Sequence, residues 1–179
     1  MTSDSQFPES ERLAFRAWRD DDMALAMALW GDPRVTALID SRGVLDRSTV
    51  EARLREQIEL ADHHGIQYWP AFLMETLEFA GCAGLRPRVP ENRIFELGFH
   101  ICARFWGQGL ATEAALSVAR FAFTELDAMA LFAGHNPNNR ASAHVLEKLG
   151  FRHTHDEAYA PTGLLHPSYL LTAEEFAKR

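Results

Sequence analysis

The chain has few cysteines, no long apolar run and no apolar leader, and each shortage excludes a class of protein. Only Cys82 and Cys102 occur among 179 residues, too few for a disulfide framework or a cysteine metal site. No run of about 18 or more apolar residues could form a membrane helix, and the first twelve residues, MTSDSQFPESER, are polar, unlike a signal peptide. We expect a cytoplasmic protein with no membrane segment and no metal.

Basic residues are also sparse. The formal net charge is −7, and no block of lysine or arginine occurs. Because binding to a nucleic-acid backbone requires clustered basic residues, we expect no nucleic-acid partner. An acidic protein suits a cationic partner such as an amine. The hydrophobic fraction of 47% is typical of a globular core.

Apolar periodicity predicts eleven elements in the order β α α β β β α β α β β. No repeat or linker interrupts them, so we predict a single α/β domain over residues 1–179, with residues 1–10 as a flexible tail. Ser48 is the predicted cap of the second helix. The predicted strands cover 12–18, 68–76, 78–87, 93–102, 128–134, 151–154 and 167–172; the helices cover 19–33, 46–65, 107–126 and 139–149; a loop covers 156–166.

A glycine turn joins the fourth predicted strand to the third helix, in the segment HICARFWGQGLATEA. The first N–H groups of a helix, together with its dipole, attract phosphate, and Gly107 and Gly109 would let a ligand approach the backbone closely. A mononucleotide P-loop is excluded because the turn has no lysine. A dinucleotide site fits poorly because its acidic residue should follow the next strand, whereas Asp127 precedes that strand.

Two motifs resemble the GCN5-related N-acetyltransferase (GNAT) superfamily. The run Arg104-Phe-Trp-Gly107-Gln-Gly109 is similar to its pyrophosphate loop, Arg/Gln-x-x-Gly-x-Gly/Ala. The segment NPNNRASAHVLEKLGF is similar to its later motif, in which Asn139-x-x-Ser142 is followed by Glu-Lys-Leu-Gly-Phe. ELGFHI and HPSYLLT resemble the branch of ribosomal-protein N-terminal acetyltransferases. The resemblance covers most of the chain and thins before about Tyr68.

The resemblance implies a mixed central sheet of six to seven strands, splayed at the middle and flanked by about four helices. It also implies acetyl-CoA as cosubstrate, with its pantetheine arm in the splay and its pyrophosphate on the glycine turn. Arg140 is a second cation, besides Arg104, that could contact a phosphate. The implied cofactor-binding residues are Phe99, Ile101, Cys102, Ala103, Arg104, Gly107, Gln108, Gly109, Leu110, Ala111, Thr112, Asn139 and Ser142.

The implied activity is transfer of an acetyl group from acetyl-CoA to an amine by direct attack in a ternary complex. Glu96 and His100, which share one strand face, are candidate bases, and His135 is a third. Tyr169 offers another hydroxyl. Many relatives place an acidic tyrosine where this chain has Leu146, so either Ser142 protonates the leaving thiolate or no acid is needed.

The sequence leaves the acceptor open between a protein N-terminus and a small-molecule amine. In the resembled fold the acceptor is recognised by the first two helices, here residues 20–65, and by the late loop, here residues 156–166. A non-catalytic acyl-CoA-binding or regulatory module on the same fold is the alternative function. Relatives in this branch often dimerise, so a homodimer is a further expectation.

Overall fold

Seven strands form one mixed sheet in the computed structural model, which describes residues 6–179. The strand order is β1-β2-β3-β4-β5-β7-β6, and every neighbouring pair is antiparallel except β4 and β5. The predicted α/β class and mixed sheet are therefore confirmed. The strands are β1 (Leu13–Phe15), β2 (Tyr68–Leu73), β3 (Phe79–Val89), β4 (Ile94–Ile101), β5 (Ala130–Gly134), β6 (Arg152–Tyr159) and β7 (Leu164–Thr172).

Four main helices flank the sheet, as predicted, and two short ones were not foreseen. The first of these is α2, for which the side chain of Asp32 accepts a hydrogen bond from the Arg34 N–H (3.0 Å) and Pro33 occupies the first turn. That pair starts a helix where the sequence had indicated only the end of α1. The helices are α1 (Met23–Trp30), α2 (Pro33–Thr36), α3 (Arg47–His64), α4 (Leu110–Thr124), α5 (Arg140–Leu149) and α6 (Ala173–Ala177).

Two local predictions are corrected by the structure. The predicted Ser48 cap of α3 is wrong, because the carboxylate of Asp46 accepts from the Thr49 N–H (2.8 Å) and the Ser48 hydroxyl donates to that same carboxylate (3.0 Å). The predicted loop 156–166 is largely a hairpin, in which pairing runs from Asp156↔Pro167 to Tyr159↔Leu164. The predicted strand 151–154 covers only the start of β6, because β6 is mostly exposed and its later residues show no apolar alternation.

The parallel pair β4 and β5 separates after three residues. Ile94–Glu96 of β4 pairs with Ala130–Phe132 of β5. Beyond these residues, β4 continues to Ile101 paired with β3, and β5 continues to Gly134 paired with β7, but the two strands no longer pair with each other. The predicted splay in the middle of the sheet is thus confirmed. It begins at Glu96↔Phe132 and widens toward the carboxyl ends of both strands.

The residues of β4 alternate between two faces of the sheet. On the face that carries α1, Glu96, Gly98 and His100 follow one another, and the indole N–H of Trp30 reaches His100. On the opposite face, Phe99 and Trp69 are aligned across the sheet, because both pair with Ala83 of β3. The ring of Trp69 contacts Phe121 of α4, with the ring centroids 5.3 Å apart. We call these the α1 face and the α4 face.

The predicted flexible tail is described only in part. Residues 1–5 lie outside the described residues, whereas Pro8 is buried and the Ser10 hydroxyl donates to the Glu113 carboxylate at 2.6 Å. Within residues 6–179, no helix has the length and apolarity needed to cross a membrane. No group of three or more metal-binding side chains comes together in that same part of the chain.

Candidate active site

A cavity of about 190 Å³ occupies the gap between β4 and β5 and reaches both faces of the sheet. On the α4 face it is lined by Leu97, Phe99, His135, Asn139, Ser142 and Leu146; on the α1 face it is lined by Leu38, Ile39, Tyr68, Glu96, His100, Phe132, Glu157, Tyr159 and His166. The predicted residues Glu96, Phe99, His100, Asn139 and Ser142 are thus brought to one cavity. Tyr68 and Phe132 were not predicted as lining residues, whereas Tyr159 and His166 lie within residues 156–166, which the resemblance implied for acceptor recognition.

The glycine turn has the geometry of an anion site. Gly107 and Gly109 have φ values of +76° and +77°, which favour glycine, and α4 begins directly after Gly109 without a side-chain cap. A Cβ atom built at Gly107 would meet no atom within 4 Å, and one at Gly109 would meet only the Arg12 guanidinium, at 3.7 Å. The uncapped first turn therefore has open space for a phosphate, so the residues present fit the pyrophosphate of CoA.

Arg12 brings positive charge to this turn, although no sequence motif indicated it. Both of its terminal nitrogens donate to the carbonyl of Gln108 (3.2 Å each), and its Nε pairs with Glu113 of α4 at 2.6 Å. Arg104, in contrast, donates to the Phe79 carbonyl at 3.2 Å and lies 3.5 Å from the Glu78 carboxylate. Its contact with the cofactor stays a prediction.

The thiol that precedes the turn is buried. Burial raises the pKa of Cys102 to about 11, so at neutral pH it is a neutral thiol. Trp106 is exposed on the turn itself and donates from its indole N–H to the Ile101 carbonyl (2.8 Å). These contacts hold the end of β4 in place at the entrance to α4.

The later motif forms the start and the end of α5. Asn139 caps the helix, since its side-chain oxygen accepts from the Ser142 N–H at 3.1 Å. At the other end Gly150 has φ +84°, and the Phe151 N–H returns to the Leu146 carbonyl (3.0 Å). Between them the side chain of Leu146 is buried against the cavity, where a hydrocarbon can donate no proton.

The two candidate bases on β4 have different hydrogen-bonding states. The Glu96 carboxylate makes neither a hydrogen bond nor an ion pair with any described residue, and burial raises its pKa above the usual range. His100 accepts the Trp30 indole N–H at Nδ1 (3.1 Å), which leaves the neutral ring protonated at Nε2. Burial lowers the pKa of His100 to about 3, so the ring stays neutral. Glu96 can accept a proton, whereas the remaining nitrogen of His100 can only donate.

His135 also has both ring nitrogens engaged. Its Nδ1 donates to the Asn136 carbonyl at 2.8 Å, so Nε2 accepts from the hydroxyl of Tyr169 at 3.2 Å. The two rings stack, with centroids 5.4 Å apart. Among the predicted bases Glu96, His100 and His135, only Glu96 therefore has lone pairs that no described residue occupies.

Comparisons with known proteins agree with this geometry. A family model described as "Acetyltransferase (GNAT) domain" matches residues 12–152. The uncharacterised protein YkkB of Bacillus subtilis is 29% identical over 147 residues, which cover 81% of this chain and 84% of YkkB. A GNAT-family acetyltransferase structure from Bacillus anthracis superposes with a TM-score of 0.81 at 21% identity, covering 94% of this chain and 99% of that one.

A second structural neighbour is a ribosomal-protein acetyltransferase. RimL, a ribosomal L7/L12 α-N-protein acetyltransferase solved in complex with coenzyme A, superposes with a TM-score of 0.79 at 17% identity. The similarity covers 94% of this chain and 98% of RimL. At this identity the likeness concerns the fold.

Proposed function

Because this chain belongs to the GNAT acetyltransferase family, we propose that it transfers the acetyl group of acetyl-CoA to an amine by direct attack in a ternary complex. The observation that carries the proposal is the cavity through the sheet. Its α4 face adjoins α5 and holds Asn139 and Ser142, and its α1 face holds the unpaired carboxylate of Glu96. Cosubstrate and amine can then meet in the gap between β4 and β5 from opposite faces.

The cosubstrate fits the α4 face. After Glu96 the edge of β4 that faces β5 has no strand partner, so the pantetheine arm can pair there with backbone groups. The pyrophosphate would lie on the first N–H groups of α4, beside Gly107, Gly109 and the Arg12 guanidinium. The CoA bound in RimL supports this choice of cosubstrate.

The chemical step forms one bond and breaks another. The nitrogen of a neutral amine attacks the thioester carbonyl carbon, the C–N bond forms, and the C–S bond then breaks. The proton that the nitrogen loses passes to Glu96, directly or through one water, and the departing thiolate takes up a proton to give free CoA. Backbone N–H groups of β4 at the gap are suited to stabilise the carbonyl oxygen as it gains charge. Ser142 is the proposed donor to the thiolate.

Acetyl-CoA turnover with a panel of amines tests the proposal, read both as free thiol and as acetylated product by mass spectrometry. Glu96→Gln should lower kcat/KM by about 10²–10⁴-fold, the usual contribution of a general base. The CoA dissociation constant should stay within about twofold, since Glu96 lies on the α1 face. The matched control is Glu147→Gln, a carboxylate on the exposed surface of α5. Unchanged turnover in Glu96→Gln would refute the assignment of the base.

A non-catalytic CoA-binding module is the second candidate, and the hydrocarbon of Leu146 is the observation that favours it. A module of this kind would bind CoA tightly and release no thiol with peptides, monoamines or polyamines. Leu146→Tyr provides a direct comparison, because it restores a hydroxyl at the cavity wall. Turnover by the native chain would exclude the module.

A further inference from the structure

The α1-face half of the cavity carries aromatic and aliphatic side chains beside its polar ones. Leu38 and Ile39 from the turn after α2, together with the rings of Tyr68, Phe132 and Tyr159, contribute to its wall. The Tyr68 ring packs directly on the backbone of β4 at Gly98. A side chain at that position would prevent this packing, because a Cβ atom would lie 2.1 Å from the tyrosine hydroxyl. Three aromatic rings and two aliphatic side chains can enclose a hydrocarbon or an aromatic ring.

The charged groups around this half are paired with one another. Arg88 contacts Glu157 at 2.7 Å and stacks over Phe132 at 4.1 Å from the ring centroid. Arg86 stacks over Tyr68 at 4.8 Å and lies 3.7 Å from Glu56. Each guanidinium thus has a carboxylate partner of its own.

Asp40, next to Ile39, is likewise occupied. It accepts from Arg42 at 2.7 Å and lies 3.6 Å from Arg53 of α3. These hydrogen bonds lower the pKa of Asp40 to about 2, so it stays ionised and paired. Among the acidic residues at or next to this wall, only Glu96 lacks an ion-pair partner within the described chain.

A backbone hydrogen bond links the turn after α2, which carries Leu38 and Ile39, to the β6–β7 hairpin, which carries Tyr159. The N–H of Ser41 donates to the carbonyl of Pro161 at 2.8 Å, which joins the turn after α2 to the turn between β6 and β7. Ile39 and Tyr159 each lie two residues from that bond. The whole cavity measures about 190 Å³ and must also admit the acetyl thioester, so the part of the acceptor that enters is small.

We propose that the acceptor is a small primary monoamine on an apolar or aromatic body, whose single amine faces Glu96. This rests on the proposed acetyl transfer and names the substrate class for it. A second ammonium on the acceptor would enter a wall whose remaining carboxylates are already paired, and an unpaired buried charge is costly. Diamines, polyamines and aminoglycosides are therefore poor acceptors.

Hexylamine and 1,6-diaminohexane form a matched pair of probes, because they share one chain length and differ in the second amine. We expect kcat/KM for hexylamine to exceed that for the diamine by about tenfold or more, and 2-phenylethylamine to be accepted as well. An equal or higher kcat/KM for the diamine, for spermidine or for a peptide N-terminus would overturn the inference while leaving acetyl transfer intact. Absence of thiol release with every amine would instead refute the proposed function.

Tyr159 tests the wall directly. Tyr159→Ala should raise KM for 2-phenylethylamine about tenfold, from the loss of an aromatic contact, and should leave CoA affinity unchanged. Tyr159→Phe keeps the ring and should retain the native KM. Leu165→Ala is the control, since Leu165 is 61% exposed and lies on the other face of the same hairpin. Equal KM values in Tyr159→Ala and Leu165→Ala would contradict the proposed wall, and melting temperatures would verify that each variant is folded.

Discussion

Gly109→Glu should place a side chain and a negative charge where the pyrophosphate of CoA is expected to lie. The substitution has two separable effects, backbone strain and charge. Gly109 has φ +77°, and a left-handed conformation costs a non-glycine residue about 1–2 kcal/mol of folding free energy. The nearest atom to a new Cβ is the Arg12 Nη2 at 3.7 Å, so no steric clash adds to that cost.

The charge effect can be estimated from Coulomb's law. Two like charges about 5 Å apart repel by about 1–3 kcal/mol in a setting between bulk water and the protein surface. That repulsion corresponds to a rise of about five- to 150-fold in the Kd for CoA. Because the turn is exposed, the effect should shrink as salt is added.

Two further variants separate the effects. Gly109→Gln has the size of glutamate without its charge, and Gly65→Gln carries a similar strain, at φ +68° with nothing within 4 Å, at the far end of α3. We expect calorimetric titration with CoA, at low and high salt, to give the highest Kd for Gly109→Glu, a lower Kd for Gly109→Gln and the lowest for Gly65→Gln. The Kd of Gly65→Gln should equal the native value. Equal Kd values for Gly109→Glu and Gly109→Gln at low salt would refute the placement of the pyrophosphate.

Two other substitutions follow from the same geometry. Ser142→Ala removes the proposed proton donor and should lower kcat with little change in the Kd for CoA, as read by thiol release and titration; an unchanged kcat would show that no acid is needed at that position. Gly98→Ala should destabilise the fold by about 1–3 kcal/mol, because the new Cβ would lie 2.1 Å from the Tyr68 hydroxyl and the ring must move. Chemical denaturation measures that loss, and Gly134→Ala is the control, because its φ is not positive and the nearest atom to a new Cβ is 3.7 Å away.

The long periodic elements and the two motifs were predictable from the chain itself. Residues 107–126 carry a continuous apolar stripe, and α4 occupies Leu110–Thr124 of that span. Asn139 and Gly150 bound α5 as their residue types suggest, since an amide oxygen can cap a helix and glycine tolerates positive φ at its end. Such signals are local, so the sequence alone carries them.

The errors arose where structure depends on a contact rather than on the apolar pattern of the segment itself. β6 has almost no buried side chain, and it becomes a strand because it pairs with β7. Arg12 reaches the glycine turn from about 100 positions away, through Gln108 and Glu113. In neither case do the apolar positions of the segment itself indicate the contact.

The choice of the base shows the same limit at the level of single atoms. Glu96 and His100 share one strand face, and by unperturbed pKa alone histidine suits a neutral-pH base better. The contact that changes this preference joins residues 70 positions apart, where the indole N–H of Trp30 occupies the Nδ1 lone pair of His100. Burial in that contact also keeps the imidazole neutral, so it has no free lone pair for a substrate proton.

Glu96 lies at the point where β4 and β5 part, and its carboxylate has no protein partner among residues 6–179. Burial raises the pKa of Glu96, which makes the carboxylate a stronger base than an exposed glutamate. Because only the ionised carboxylate can accept a proton, activity should fall as the pH drops through that pKa.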